Sequence, residues 1–224
     1  MSHLNIAIDG PAGAGKSTVA KEIAKQLGIR YLDTGAMYRT MALCAIRKGI
    51  DPADGEALER LLPQTQIAVR FAEDGQHVLL EGEDVTGLIR TPEISMGASK
   101  VSAHPCVRQK LAAMQRQTAQ EYDVVMDGRD ITTNVLPETP HKFFITASAE
   151  ERARRRFTEL QQRGTNETLE SVLADIRQRD HNDSTRAYMP LTIAPDAVVV
   201  DTTEMSVAEA TAFVITRIRE KEAQ

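Results

Sequence analysis

Gly10-Pro11-Ala12-Gly13-Ala14-Gly15-Lys16-Ser17 has the spacing G-x-x-x-x-G-K-[ST]. The apolar stretch Leu4-Asn5-Ile6-Ala7-Ile8 precedes it, and a helical pattern over Lys16–Leu27 follows. In that strand–loop–helix context the glycines let backbone N–H groups turn inward around phosphate oxygens. The helix start adds unpaired N–H groups and a partial positive charge. The loop therefore predicts a nucleoside-triphosphate cradle formed by Gly10, Pro11, Ala12, Gly13, Ala14, Gly15, Lys16, Ser17 and Thr18. Lys16 is placed to reach the β- and γ-phosphates, and the Ser17 hydroxyl to ligate Mg²⁺.

Reading outward, short apolar runs alternate with helical patterns. Ile29–Leu32, Tyr122–Met126, Lys142–Thr146 and Ala197–Val200 read as strands. Met37–Lys48, Cys106–Glu121, Glu167–Asp180 and Ser206–Lys221 read as helices, with Ser148 and Glu151 as a capping box opening another. Strands without polar alternation, separated by helices, imply an α/β fold with a parallel five-stranded core sheet covered on both faces. One segment breaks the pattern. Ile67–Phe71 alternates at period two, Asp74-Gly75 follows, and His77–Glu81 reads as a returning strand, with Glu83–Thr86 as a third. This predicts a small antiparallel β insert.

Composition narrows the function classes. The chain has 224 residues, 42% of them hydrophobic, and a formal net charge of −5, unlike a general nucleic-acid-coating protein. No apolar run is long enough for a transmembrane helix. The opening Met1–Asp9 lacks the basic region of a secretory signal. Two cysteines cannot make a disulfide framework, so a reducing cytoplasm is expected. A guanine-reading Asn-Lys-x-Asp motif is absent from the sequence. Between Glu150 and Arg186 the chain carries Arg152, Arg154, Arg155, Arg156, Arg163, Arg177, Arg179 and Arg186, without a lysine. Arginine suits two-pronged phosphate recognition. A solvated helix laced with pairs such as Glu151–Arg155 fits the same residues. Arg179 and Arg186, with Asp183 between them, fall where a helix should end.

The chain resembles the bacterial cytidylate kinase family from Ile6 to about Thr203. The resemblance rests on Asp9–Thr18, Asp33-Thr34-Gly35-Ala36-Met37-Tyr38-Arg39, Gly82-Glu83-Asp84-Val85-Thr86 with Ile89-Arg90, Asp127-Gly128-Arg129-Asp130-Ile131, Ser148–Ala153 and Arg179–Arg186. It implies a P-loop kinase with a helical lid. Residues 1–62, 106–151 and 189–224 would form the core, 63–105 the monophosphate-binding insert and 152–188 the lid. It further implies that Asp130 contacts the cytosine and that Thr34 and Ser99 lie on the base side. Arg39, Arg108 and Arg129 would hold the acceptor phosphate, with Arg179, Asp183 and Arg186 near the sugar and the transferring phosphate. A carboxylate is a natural acceptor for the exocyclic amine of cytosine. Thr132-Thr133-Asn134-Val135 stands where the family usually has Gly-Thr-Val-Val, which bears on backbone approach beside the base pocket.

The expected reaction is ATP with CMP or dCMP to ADP with CDP or dCDP, aided by Mg²⁺. Lys16, Arg129, Arg155 and Arg179 would serve the transferring charge, and Asp127 would orient the metal through water. Simpler roles stand beside these: Asp127 as a turn residue, Asp130 in a salt bridge to Arg129 or another arginine, Thr34 as the cap of a helix starting near Ala36. A monomer is expected, with nucleotides rather than nucleic acid or membrane as partners. A kinase for UMP, AMP or shikimate, or a non-catalytic ATP-binding switch, remains the alternative.

Overall fold

The computed structural model describes residues 3–162 and 164–223; Arg163 of the arginine-rich segment lies outside them. The main sheet is five-stranded. Its strands are β1 (Asn5–Asp9), β2 (Arg30–Asp33), β6 (Val124–Gly128), β7 (His141–Thr146) and β8 (Val198–Asp201), in the order β2-β6-β1-β7-β8. β1 runs parallel to β7 with Asp9 opposite Phe144, and β7 runs parallel to β8 with Phe143 opposite Val198. The expected insert is a separate three-stranded sheet of β3 (Ile67–Ala72), β4 (Gly75–Leu80) and β5 (Glu83–Asp84). β3 and β4 form an antiparallel hairpin turning through Glu73-Asp74, with Ala72 opposite Gly75.

The chain divides into two compact units. One comprises Asn5–Ile29 and the described residues from Val125 on. Its core is the strand residues Ile6, Ile8, Val125, Met126, Phe143 and Ile145, all buried. α1 (Lys16–Leu27) and α8 (Val207–Glu222) pack together, burying Val19 and Ile23 from one and Val214 and Ile218 from the other. α6 (Ala149–Gln162) and α7 (Leu169–Thr185) form a helical pair around Ala153, Val172 and Ile176. The other unit comprises the described part of Met1–Leu4 with Arg30–Val124. It holds β2, the small sheet, α2 (Thr34–Arg47), α3 (Gly55–Leu61), α4 (Pro92–Val101) and α5 (Pro105–Glu121). Gly97 lets α4 lie close to α2, since a Cβ there would stand 3.1 Å from that of Ala42.

Several boundaries differ from expectation. α2 begins at Thr34, and its cap is Asp33, whose side chain accepts from the Ala36 N–H at 3.0 Å. Both residues are good caps, and the sequence offers no means of choosing between them. Ser148 caps α6 by accepting from the Glu151 N–H, but the Glu151 carboxylate binds Arg154 and Arg155 instead of reaching back. The complete capping box is at α8, between Ser206 and Glu209. α7 runs past Asp180 to Thr185, where the Ser184 and Thr185 hydroxyls donate to carbonyls of Asp180 and His181. Ile131–Val135 forms a π-helical turn for which the sequence carries no periodic signal.

Candidate active site

The phosphate cradle belongs to the first unit. Gly10, Gly13 and Gly15 all have positive φ, and no side chain caps α1 at Gly15. The first-turn N–H groups of α1 thus face the loop's concave side, where an anion is the natural partner. Lys16 is buried, and its Nζ donates to the Pro11 carbonyl at 2.7 Å. Burial, followed by the nearby Arg129 charge, lowers the Lys16 ammonium to about 7, against the pull of Asp127, Asp9 and Asp183. The Ser17 hydroxyl donates to Asp127 Oδ2 at 2.9 Å. A hydroxyl beside a buried carboxylate is a hard-oxygen pair of the type Mg²⁺ takes; among the described residues no group of three or more His, Cys, Asp or Glu forms a cage of its own.

The loop is fastened from behind. Arg155 pairs with Glu151 at i,i+4, as the simpler reading expected, and its fork also binds the carbonyl and hydroxyl of Thr202. The Thr202 hydroxyl lies 3.3 Å from the Ala14 carbonyl. Arg152 was not singled out for the site by the sequence, yet its buried guanidinium donates to the carbonyls of Ala12 and Ala147. It also makes a two-pronged pair with Asp180, at 3.0 and 2.7 Å.

Asp127, Arg129 and Asp130 leave the end of β6 in this unit. Arg129 Nε donates to Asp183 Oδ2 at 2.7 Å. Burial works against both charges, but each holds the other: Asp183 raises Arg129, and Arg129 keeps Asp183 low with help from Arg186 and Arg179. Buried Asp130 lies 4.0 Å from Arg186, and Arg186 also lies 3.8 Å from Asp183. Lys16, Asp127, Arg129 and Asp183 therefore share one electrostatic neighbourhood. Asp9, a second residue for which no role was expected, also acts on Lys16. It is fully buried and accepts from the N–H groups of Ile131 and Thr132 and from the Thr132 hydroxyl. Burial raises it to about 6 despite these three bonds. In the sequence it closes an apolar strand and opens the Asp9–Thr18 stretch, with no role of its own expected.

The remaining candidates lie in the second unit. Thr34 is buried in the first turn of α2. Arg39, one turn on, donates to Asp33 Oδ2 at 2.7 Å, and Arg90 approaches the same oxygen at 3.5 Å. Asp33 is held in turn by Gln76, whose Oε1 accepts from its N–H. Arg108 is buried on α5, donates to the Ser102 carbonyl and lies over the Tyr38 ring at 5.5 Å. Ser99 is half-buried on α4.

A family model described as "Cytidylate kinase" matches residues 6–220. A protein named cytidylate kinase from Caldicellulosiruptor bescii is 49% identical over 209 residues, covering 93% of this chain and 92% of its own. One of the same name from Shouchella clausii is 47% identical over 220 residues, covering 98% of each. Among solved structures, an uncharacterized protein from Eubacterium ventriosum aligns with a TM-score of 0.54 at 15% identity, over 98% of this chain and 99% of that one, a likeness of fold alone.

Proposed function

The chain belongs to the cytidylate kinase family, and from that membership we infer that it transfers the γ-phosphoryl group of ATP to CMP and dCMP, giving CDP and dCDP. The observation that carries the reading is the buried cluster of Lys16, Asp127, Arg129 and Asp183 at the mouth of a loop built for phosphates. Such transfer needs alignment and cations more than covalent chemistry. The acceptor is a phosphate oxygen, already ionised at neutral pH, so no protein base is required.

The roles divide as follows. The N–H groups of Gly10–Thr18 cradle the donor phosphates. Lys16 exchanges the Pro11 carbonyl for β- and γ-phosphate oxygens, whose negative charge favours the ammonium form. Ser17 would hold Mg²⁺ directly, and Asp127 would orient it through water. When bound, the metal neutralises charge on the donor phosphates. Arg129, Arg39 and Arg108 hold the acceptor phosphate. Asp130 reads the cytosine amine, with Thr34 and Ser99 on the base side. Asp183 takes a sugar hydroxyl, and Arg155, Arg179 and Arg186 serve the sugar and the transferring charge. Residues 63–105 act as the monophosphate-binding insert and 152–188 as a lid that keeps water from the donor. The net charge of −5 and the two free thiols support a cytoplasmic monomer whose partners are nucleotides, not nucleic acid. Among the described residues no helix is long and apolar enough to cross a membrane.

The test is ADP release from Mg-ATP with CMP, dCMP, UMP, AMP and shikimate, run beside Lys16→Ala as the donor-site control. CMP and dCMP should be preferred and the variant inactive but folded. ATP binding with no acceptor-dependent ADP release would overturn the reading in favour of a non-catalytic ATP-binding switch.

A further inference from the structure

Asp130 is gripped at two points by the turn that follows it. Its carbonyl accepts from the N–H groups of Asn134 at 2.9 Å and Val135 at 3.2 Å. Its carboxylate accepts from the Asn134 side-chain amide, Nδ2 to Oδ2, at 3.0 Å. The turn itself has little freedom. Ile131, Thr132 and Val135 are buried, and the Ile131 and Thr132 amides and the Thr132 hydroxyl all donate to Asp9. Asn134 is thus presented at a fixed position, one π-helical turn beyond the carboxylate it binds.

We propose that Asn134 is a specificity-determining positioning residue: its amide fixes the Asp130 carboxylate as an oriented acceptor and thereby sharpens the choice of cytosine over uracil. This rests on the reading of Asp130 as the base contact. Cytosine offers an amine donor where uracil offers a carbonyl acceptor. A carboxylate can rotate about its last side-chain bond, so the angle at which it meets that edge is set by what else holds it. The Asn134 N–H occupies one oxygen and so sets the angle of the carboxylate, whose oxygens accept from an amine and repel a carbonyl oxygen. Arg186 lies 4.0 Å from the other oxygen and adds positive charge beside it.

Asn134→Val removes the amide and keeps a compact side chain. The measurement is kcat/KM for CMP and UMP, KM for ATP, and the melting temperature, for the wild-type chain, Asn134→Val and Asp130→Ala. Losing one charge-assisted hydrogen bond should lower the CMP-to-UMP ratio by about fivefold or more. The loss should fall on KM for CMP, with KM for ATP unchanged. A merely structural role would reduce CMP and UMP use alike and leave the ratio in place. If Asp130→Ala collapses the ratio and Asn134→Val does not, Asn134 has no such role and the base-contact reading stands. If Asp130→Ala leaves the ratio unchanged, the base-contact reading itself fails, and the role of Asn134 fails with it.

Discussion

Replacing Gly10 by alanine tests whether the cradle is limited by backbone geometry. Gly10 has φ +147°, and a Cβ there would lie 1.9 Å from the carbonyl oxygen of Ile145 and 3.0 Å from its carbon. Relief requires β7 to retreat by more than ~1 Å, since carbon–oxygen contacts settle near ~3.3 Å. β7 cannot do so cheaply. It is bonded to β1 on one side and β8 on the other, and Ile145 is fully buried. Overpacking against a fixed backbone costs about 1–3 kcal/mol and a conformation that only glycine adopts readily another ~1–3. Gly10→Ala should therefore lose about 4 kcal/mol, which for a chain of this size lowers the melting temperature by roughly 8–16 °C. Gly15 supplies the internal comparison. Its φ is +84°, but the nearest atom to an added Cβ is Arg155 Nη1 at 3.7 Å, an ordinary contact. Gly15→Ala then carries only backbone strain, about 1–2 kcal/mol. Thermal and urea unfolding of both variants measures the gap. If Gly10→Ala proved as stable as Gly15→Ala, the steric argument for the loop would be refuted.

Arg152→Lys keeps the charge but loses the fork that spans Asp180 and the Ala12 and Ala147 carbonyls. With Asp180 partly exposed, the expected loss is about 2 kcal/mol in urea unfolding, with a raised KM for ATP and a smaller change in KM for CMP; wild-type values on both counts would remove Arg152 from the loop's support. Asp9 should leave a mark on the pH dependence of stability. Its folded value of about 6 lies above its ordinary 3.8, so the folded chain holds the proton more tightly. Its contribution is therefore complete below about pH 4 and lost as pH rises through 6, up to about 3 kcal/mol at ~1.4 kcal/mol per tenfold change in affinity. Subtracting the urea stability of Asp9→Asn from that of the wild-type chain between pH 4 and 8 isolates this slope, and a flat difference would contradict it.

The phosphate loop was legible because its constraint is local. Positive φ at fixed spacing demands glycine, and the strand and helix on either side carry their own patterns. α1 begins and ends where its sequence places it, with Gly15 and Gly28 at its caps. The arginines were legible as a set but not as partners. Arg129 and Asp130 are adjacent, which suggested an ion pair, yet neighbours leaving a strand point to opposite faces. Arg129 instead reaches Asp183, fifty-four residues on. Arg152 and Arg154 look alike in the sequence; one is buried against the loop and the other pairs with Glu151 on the exposed face. That difference is set by which helix face meets Ala12, a contact across 140 residues. The clasp of Asn134 on Asp130 was hidden for a different reason: a π-helical turn has no hydrophobic period to read.

The pairing of these arginines explains how each is stable within its own unit. A cluster of buried guanidinium groups without counter-charges would cost several kcal/mol per ion. Asp183 offsets that cost for Arg129, and Asp33 does the same for Arg39 in the other unit. On the proposed roles, a phosphate reaching either arginine would displace, or share the cation with, a carboxylate already at 2.7 Å, so it would gain only the difference between two anions. That difference favours the phosphate, with its greater charge and three acceptor oxygens against two. The same difference limits how tightly a product can hold, which suits an enzyme that must release it. On this view Asp183 and Asp33 set the occupancy of the arginines as well as their geometry. On the proposed roles, removing either carboxylate would strengthen the hold on phosphate while leaving its arginine uncompensated.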